Sequence, residues 1–232
     1  MSSIVMHQKW RELLFLHWPV EAAQVQASLP PGLTVDCYEG QAWLGLVPFR
    51  MRAIRPRFLP VVPHLSYFLE TNVRTYVRDG QGRPGVWFYS LDANRRIAVW
   101  AARRFFSLPY FAARMHCEIS AEGWVDYRTA RHATEQASRF RYRGQGAIRQ
   151  AEEGSLEHFL VERYRLFVWK AQQQVLLTGE VEHQPYPVQD AERSDFDPAL
   201  LALAGFPDAL GAPAHSLYSR GVDVRVRQVE KA

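Results

Sequence analysis

Residues 68–115 read FLETNVRTYVRDGQGRPGVWFYSLDANRRIAVWAARRFFSLPYFAARM. Over 70–78 the residue types alternate, with Thr71, Val73, Thr75 and Val77 on one face and Glu70, Asn72, Arg74 and Tyr76 on the other. β-branched side chains at every second position favour a strand. The opposite face carries an acid, an amide, a guanidinium and a phenol in a row. Such a row either meets water or lines a cavity where each polar group holds part of a ligand. Asp79-Gly80, then Gly82, Pro84 and Gly85, is turn chemistry, and 85–91 runs back as a second strand with Trp87, Tyr89 and Leu91 on one face. Asp92 or Asn94 is placed to cap a short helix in which Ile97, Trp100, Ala101 and Phe105 recur at helical spacing and should pack inward. Ser107-Leu108-Pro109 stops it. A third strand starts at Tyr110, with Phe111, Ala113, Met115, Cys117 and Ile119 on one face and Tyr110, Arg114, His116 and Glu118 on the other.

Outward from this stretch the same signals repeat. Upstream, an apolar run over 10–18 leads to a short helix over 20–28, which Pro30, Pro31 and Gly32 break. Residues 34–38 and 41–51 are expected to pair as a hairpin about Glu39-Gly40. The proline-rich loop 55–63 should lie over the mouth of the fold or against a partner. Downstream, 124–130 and a strand with Phe140 and Tyr142 on one face precede a loop over 144–154. Ser155 opens a helix with Leu156, Phe159, Leu160 and Arg163 on one stripe, closed by Glu162-Arg163-Tyr164. Residues 164–169 and 175–183 form a hairpin, Asp197-Pro198 starts a last helix that Gly205 ends, and Val222, Val224 and Val226 alternate in a final strand. With no fixed-period repeat and no linker, 1–232 reads as one domain.

The chain has 232 residues, 47% hydrophobic and 13% aromatic, enough for a sizeable core. No apolar run approaches the length that crosses a bilayer, and the first ten residues lack a signal-peptide pattern, so a cytoplasmic protein with no membrane partner is expected. Cys37 and Cys117 form no disulfide framework and read as core. The charge of +4 comes from 25 arginines against 3 lysines. Arg139 to Arg143 interleaves with aromatics, but no nucleic-acid signature accompanies it and no nucleic-acid partner is expected. Hydrolase, nucleotide-loop and dinucleotide motifs are absent. Glu180, Glu182 and His183 alternate on a strand and read as solvated rather than as a metal site; no metal and no cofactor are expected.

HWPV at 17–20, LPPGL at 29–33, AWLGLVPFRM at 42–51, LETNVRTYV at 69–77, GVWFYSLDA at 85–93, ARRFFSLPY at 102–110, then Glu162-Arg163-Tyr164, His183 and 185–187, occur in the order and spacing of a known family. The chain resembles the YqjF-like uncharacterised proteins of the acetoacetate decarboxylase-like superfamily. The resemblance covers nearly the whole chain and implies a mainly β (α+β) fold, an antiparallel cone-shaped β-barrel with a few short peripheral helices. In the decarboxylases a glycine-Arg-Glu helix leads to a Phe-Pro-Lys-Lys segment whose first lysine forms a Schiff base with a β-keto acid. The matching run here is Leu108-Pro109-Tyr110-Phe111, so a phenol stands in the lysine's place, while Glu70 falls where the superfamily has a pocket acid. A phenol cannot form an imine. Of the three lysines, Lys9 precedes the first strand, Lys170 reads as an exposed turn residue and Lys231 is in the tail.

Two functions follow from this reading. One is a small-molecule-binding barrel that holds an organic, anionic ligand through Glu70, Asn72, Arg74 and Tyr110. The other is a lysine-independent enzyme acting on a β-keto or related carbonyl acid, with Glu70 and Tyr110 as acid and base. Loss of the nucleophile favours the first. A homodimer would hide the edges of a large sheet.

Overall fold

The computed structural model describes residues 3–132, 134, 137–209 and 211–232, the side chain of Phe105 excepted. In chain order the elements are β1 (Ile4–Val20), α1 (Ala22–Ser28), β2 (Leu33–Val35), β3 (Ala42–Pro56), β4 (Phe68–Asp79), β5 (Pro84–Ala93) and α2 (Arg96–Ala101), which continues as a π-helical turn (Ala102–Phe106). Then follow β6 (Tyr110–Ile119), β7 (Val125–Arg131), β8 (Ala137–Arg149), α3 (Leu156–Val161), β9 (Arg165–Lys170), β10 (Val175–Glu182), β11 (Val188–Asp195), α4 (Ala199–Leu203), β12 (His215–Arg227) and β13 (Glu230–Lys231).

Among the described residues these strands form one sheet that closes on itself twice. One ring runs β5-β6-β7-β8-β11-β12-β1-β3-β4 and shuts where β4 pairs with β5. The other runs β5-β9-β10-β12-β1-β3-β4 and shuts where β10 pairs with β12 at Val181–Val226 and Glu182–Arg225. The two rings share the wall β12-β1-β3-β4-β5. They diverge where β5 meets β9 at Val86 and Trp87 but β6 at Leu91, Asp92 and Ala93, which gives the barrel its cone shape. Pairing is antiparallel except at these two β5 contacts, each reached by a connection long enough to cross over.

A wall common to two rings is dry on both faces, so its strands are apolar at consecutive positions instead of alternate ones. In β1, Leu14, Leu16 and Trp18 pack with Val73, Tyr127, Phe140 and Tyr142 in the larger ring. Leu13 and Phe15 pack with Trp43, Phe49, Tyr76 and Leu217 in the smaller. Residues 70 to 77 of β4 are likewise all buried. The polar row at Glu70, Asn72, Arg74 and Tyr76 is therefore an interior face.

Several local expectations change. In the β4–β5 ladder Val73 pairs with Ser90 but Arg74 with Phe88, so Tyr89 is the extra residue of a β-bulge. The bulge shifts the alternation by one. Tyr89 turns to the larger-ring side, packing on Phe206 and bonding Ser28 Oγ at 2.7 Å, while Leu91, expected beside Trp87 and Tyr89, joins Val86 and Phe88 on the cavity side. The turn at Glu39-Gly40 forms, both residues at positive φ, but its hairpin stops at the Tyr38–Gln41 bridge, because β2 pairs with β4 and not β3. The expected loop at 144–154 is mostly strand, since β8 runs to Arg149 against β11. Neither Asp92 nor Asn94 caps α2: Asp92 pairs with Arg131, and Asn94 Oδ1 accepts the Leu69 amide. On α2 the inward residue is Val99, whereas Ile97 and Trp100 are 64% and 61% exposed. The expectation for Phe105 lies outside the described side chains. Among the described residues no helix is long and apolar enough to cross a membrane.

Candidate functional site

Inside the smaller ring lies a cavity of about 430 Å³. Its walls are apolar side chains of the ring strands, among them Trp10, Met51, Val86, Phe88, Leu166 and Val181. One end is closed by Tyr110, Leu108 and the helical segment 97–106, and the loop 59–66 lies across it. A largely apolar hollow with a few convergent polar groups is the usual form of a small-molecule site.

At the closed end Tyr110 Oη donates to Glu70 Oε2 at 2.6 Å. Both line the cavity. Burial is the main reason the Glu70 pKa rises from 4.5 to about 7; the Tyr110 hydrogen bond opposes the rise and the nearby Asp92 carboxylate adds to it. Tyr110 is pushed well above its ordinary value by burial and then by Glu70, so it remains a hydrogen-bond donor at neutral pH. Asp92 forms a buried ion pair with Arg131 Nη2 at 2.7 Å, and the Arg131 guanidinium stacks on Phe111 at 3.9 Å. Burial raises Asp92 more than the arginine lowers it. Glu70 thus holds its proton far more readily than an exposed carboxyl does.

Arg74 stands four residues along β4, on the same inner face. Its guanidinium lines the cavity, donates from Nη2 to the Leu160 carbonyl at 3.0 Å and lies 5.7 Å from the ring centres of both Phe15 and Tyr76. Its Nε is buried without a hydrogen-bond partner. The other cavity arginines are neutralised: Arg163 pairs with Asp36 at 2.9 Å, Arg165 with Glu180 and Arg227 with Glu182. No carboxylate among the described residues lies within ion-pair distance of Arg74. Gly45 makes room for it, since a Cβ there would sit 3.2 Å from Arg74 Cγ and from Tyr76 Oη. Behind it His17, fully buried and paired through Nδ1 with His215 Nδ1 at 3.2 Å, is held well below its ordinary pKa by burial, with His215 and Arg74 adding to the effect.

The fold therefore brings Glu70, Arg74 and Tyr110 to one hollow. Asn72, expected with them, does not line it, and its buried Oδ1 has no partner among the described residues. Lys9 pairs with Asp223 at 3.6 Å, Lys170 ends β9, Lys231 is in β13, and none of the three lines the cavity. Sequence reasoning missed Asp92 as a charge beside Glu70 and Gly45 as the seat of Arg74. Both effects come from cross-strand neighbours far apart in the chain. At the end of α3, Arg163 pairs with Asp36 while Glu162 accepts the Tyr186 amide at 2.8 Å. Glu180 and Glu182 of the alternating acidic strand hold arginines.

This geometry sits on a fold with known relatives. Residues 7–223 match the family model DUF2071, described as uncharacterized conserved protein. The chain belongs to that family. It is 41% identical over 189 residues to the uncharacterized protein YqjF of Bacillus subtilis (strain 168), a match spanning 81% of this chain and 76% of that protein. Among solved structures it is similar to the enduracididine biosynthesis enzyme MppR complexed with pyruvate, with TM-score 0.67, 14% identity, and 100% of this chain and 91% of that one covered. It is also similar to acetoacetate decarboxylase from Legionella pneumophila, with TM-score 0.68, 11% identity, and coverage of 98% and 87%. These structures share the acetoacetate decarboxylase-like fold, which hosts more than one chemistry.

Proposed function

We propose that this DUF2071 protein binds a carboxylic acid with an apolar body, its carboxylate on Arg74, its chain along the apolar wall and a second polar group at the Glu70–Tyr110 pair. One observation carries the reading: Arg74, buried and with no carboxylate partner among the described residues, is part of the cavity lining. A buried charge without a counter-charge is costly, even where a carbonyl, a phenol and two aromatic faces surround it. A ligand carboxylate supplies the missing charge and accepts in the fork geometry that guanidinium offers. Glu70 and Arg74 leave β4 about 13 Å apart, at about 3.3 Å per residue, which favours a longer acid over a three-carbon one.

Calorimetry with octanoate, octanamide and pyruvate tests this. Octanoate is expected to bind best, and Arg74→Met to weaken it at least about tenfold while leaving octanamide unchanged. Equal binding of acid and amide would sink the proposal. The ligand is expected to be held without an imine, since among the described residues none of Lys9, Lys170 and Lys231 lines the cavity. Borohydride with acetoacetate should accordingly leave the intact mass of the protein unchanged.

A second reading rests on Glu70, whose pKa of about 7 suits a general acid–base group. In it the pair moves a proton on a bound carbonyl acid, with Arg74 holding the carboxylate. Solvent deuterium entering the α-position of a bound keto acid, lost in Glu70→Gln, would distinguish an enzyme from a binder.

A further inference from the structure

The side of the cavity covered by the loop 57–67 and by α2 with its π-helical turn has an unusual surface. Phe58 is 86% exposed and Leu59 56%, and on α2 Ile97 and Trp100, one turn apart, are similarly open. Leu59, Val62, Leu65 and Ile97 are at once exposed and part of the cavity lining, so the outer apolar patch and the inner hollow are one continuous surface. Arg95 Nε donates to the His64 carbonyl at 2.9 Å and ties helix to loop. Residues 54–67 and 95–100 together hold four arginines and no Asp or Glu, in a chain whose whole formal charge is +4. One of them, Arg57, lies 5.0 Å from the Phe58 ring centre at the loop tip.

We infer that this face docks on an anionic lipid bilayer, with Phe58, Leu59, Ile97 and Trp100 entering the headgroup–acyl boundary and the arginines, Arg57 and Arg96 among them, on lipid phosphates. The charge decides the occupant. A second copy meeting this face through a two-fold axis would set these arginines against their own copies. An anionic surface complements both components: aromatic and aliphatic anchors favour the interface, and each nearby arginine adds attraction. The sequence expectation of no membrane partner rested on the lack of a spanning segment, which does not bear on a peripheral face. Docking stands independently of the ligand reading above. If that reading also holds, an amphiphilic acid passes between bilayer and cavity without crossing water.

The test is co-sedimentation of the full chain with vesicles of phosphatidylcholine alone and of an equimolar mixture with phosphatidylglycerol. Binding is expected to the anionic vesicles only and to fall as salt rises. Arg57→Gln with Arg96→Gln should weaken it roughly 25-fold, about fivefold for each charge. Phe58→Ser with Ile97→Ser should abolish it, and as all four side chains are on the surface, circular dichroism should show each double variant folded. Absence of binding to anionic vesicles, or binding that the Phe58→Ser, Ile97→Ser variant keeps, overturns the proposal. So does a concentration-dependent dimer that the same variant dissolves, which would assign the face to a second copy. Octanoate calorimetry on the Arg57→Gln, Arg96→Gln variant, neither residue of which lines the cavity, separates the two claims, since weakened docking with retained octanoate binding leaves the cavity reading intact.

Discussion

Replacing Glu70 by glutamine should remove one pH dependence of folding stability, of a size the structure sets. In the folded protein burial holds this carboxyl at about 7, against 4.5 in the open chain. Below 4.5 both states are protonated and the group contributes no pH dependence. As pH rises past that value the unfolded chain ionises while the folded one keeps its proton, so stability falls with a slope of about 1.4 kcal/mol per pH unit until the folded group ionises near 7. The full difference is about 3 kcal/mol. Urea denaturation of wild type and Glu70→Gln at intervals from about pH 4.5 to about pH 8 reads it directly, as the difference between the two stabilities at each pH. Wild type is expected to lose ground steadily across that window and then level off. A difference that stays flat, or that rises with pH, would mean Glu70 is ionised in the folded state and would refute the argument. Tyr110→Phe sharpens the test. The Tyr110 hydrogen bond pulls the Glu70 pKa down, so without the hydroxyl the levelling point should move to higher pH.

Two further substitutions probe what surrounds the site. Gly45→Ala puts a Cβ 3.2 Å from Arg74 Cγ and Tyr76 Oη, and is expected to cost about 1 kcal/mol in urea unfolding and to weaken octanoate several-fold by displacing the guanidinium. Unchanged affinity would show that Arg74 does not hold the carboxylate. Asp92→Asn leaves Arg131 buried without its counter-charge and should cost about 3 kcal/mol. It also removes a carboxylate that raises the Glu70 pKa, so the pH at which stability levels off should drop in the same experiment.

Local chemistry was enough to read the strand–turn–strand–helix–strand run at 68–115, the turn at Glu39-Gly40, the Ser155 cap, which accepts the His158 amide, and the β9–β10 hairpin. The family words then brought the barrel and the absence of an amine at position 110. The alternation along β4 also put Glu70, Asn72, Arg74 and Tyr76 on one face. Whether that face met water was not a local property. It became interior because β9 and β10, from residues 165 to 182, close a second ring by pairing with β5 and β12 of the same wall. Period two reports which side chains share a face and says nothing about what lies opposite. The bulge at Tyr89 and the outward turn of Ile97 and Trp100 escaped for the same reason. A pattern of apolar residues has the same spacing whether its stripe meets a core, a cavity or an open surface, and only the arrangement of distant strands decides among them.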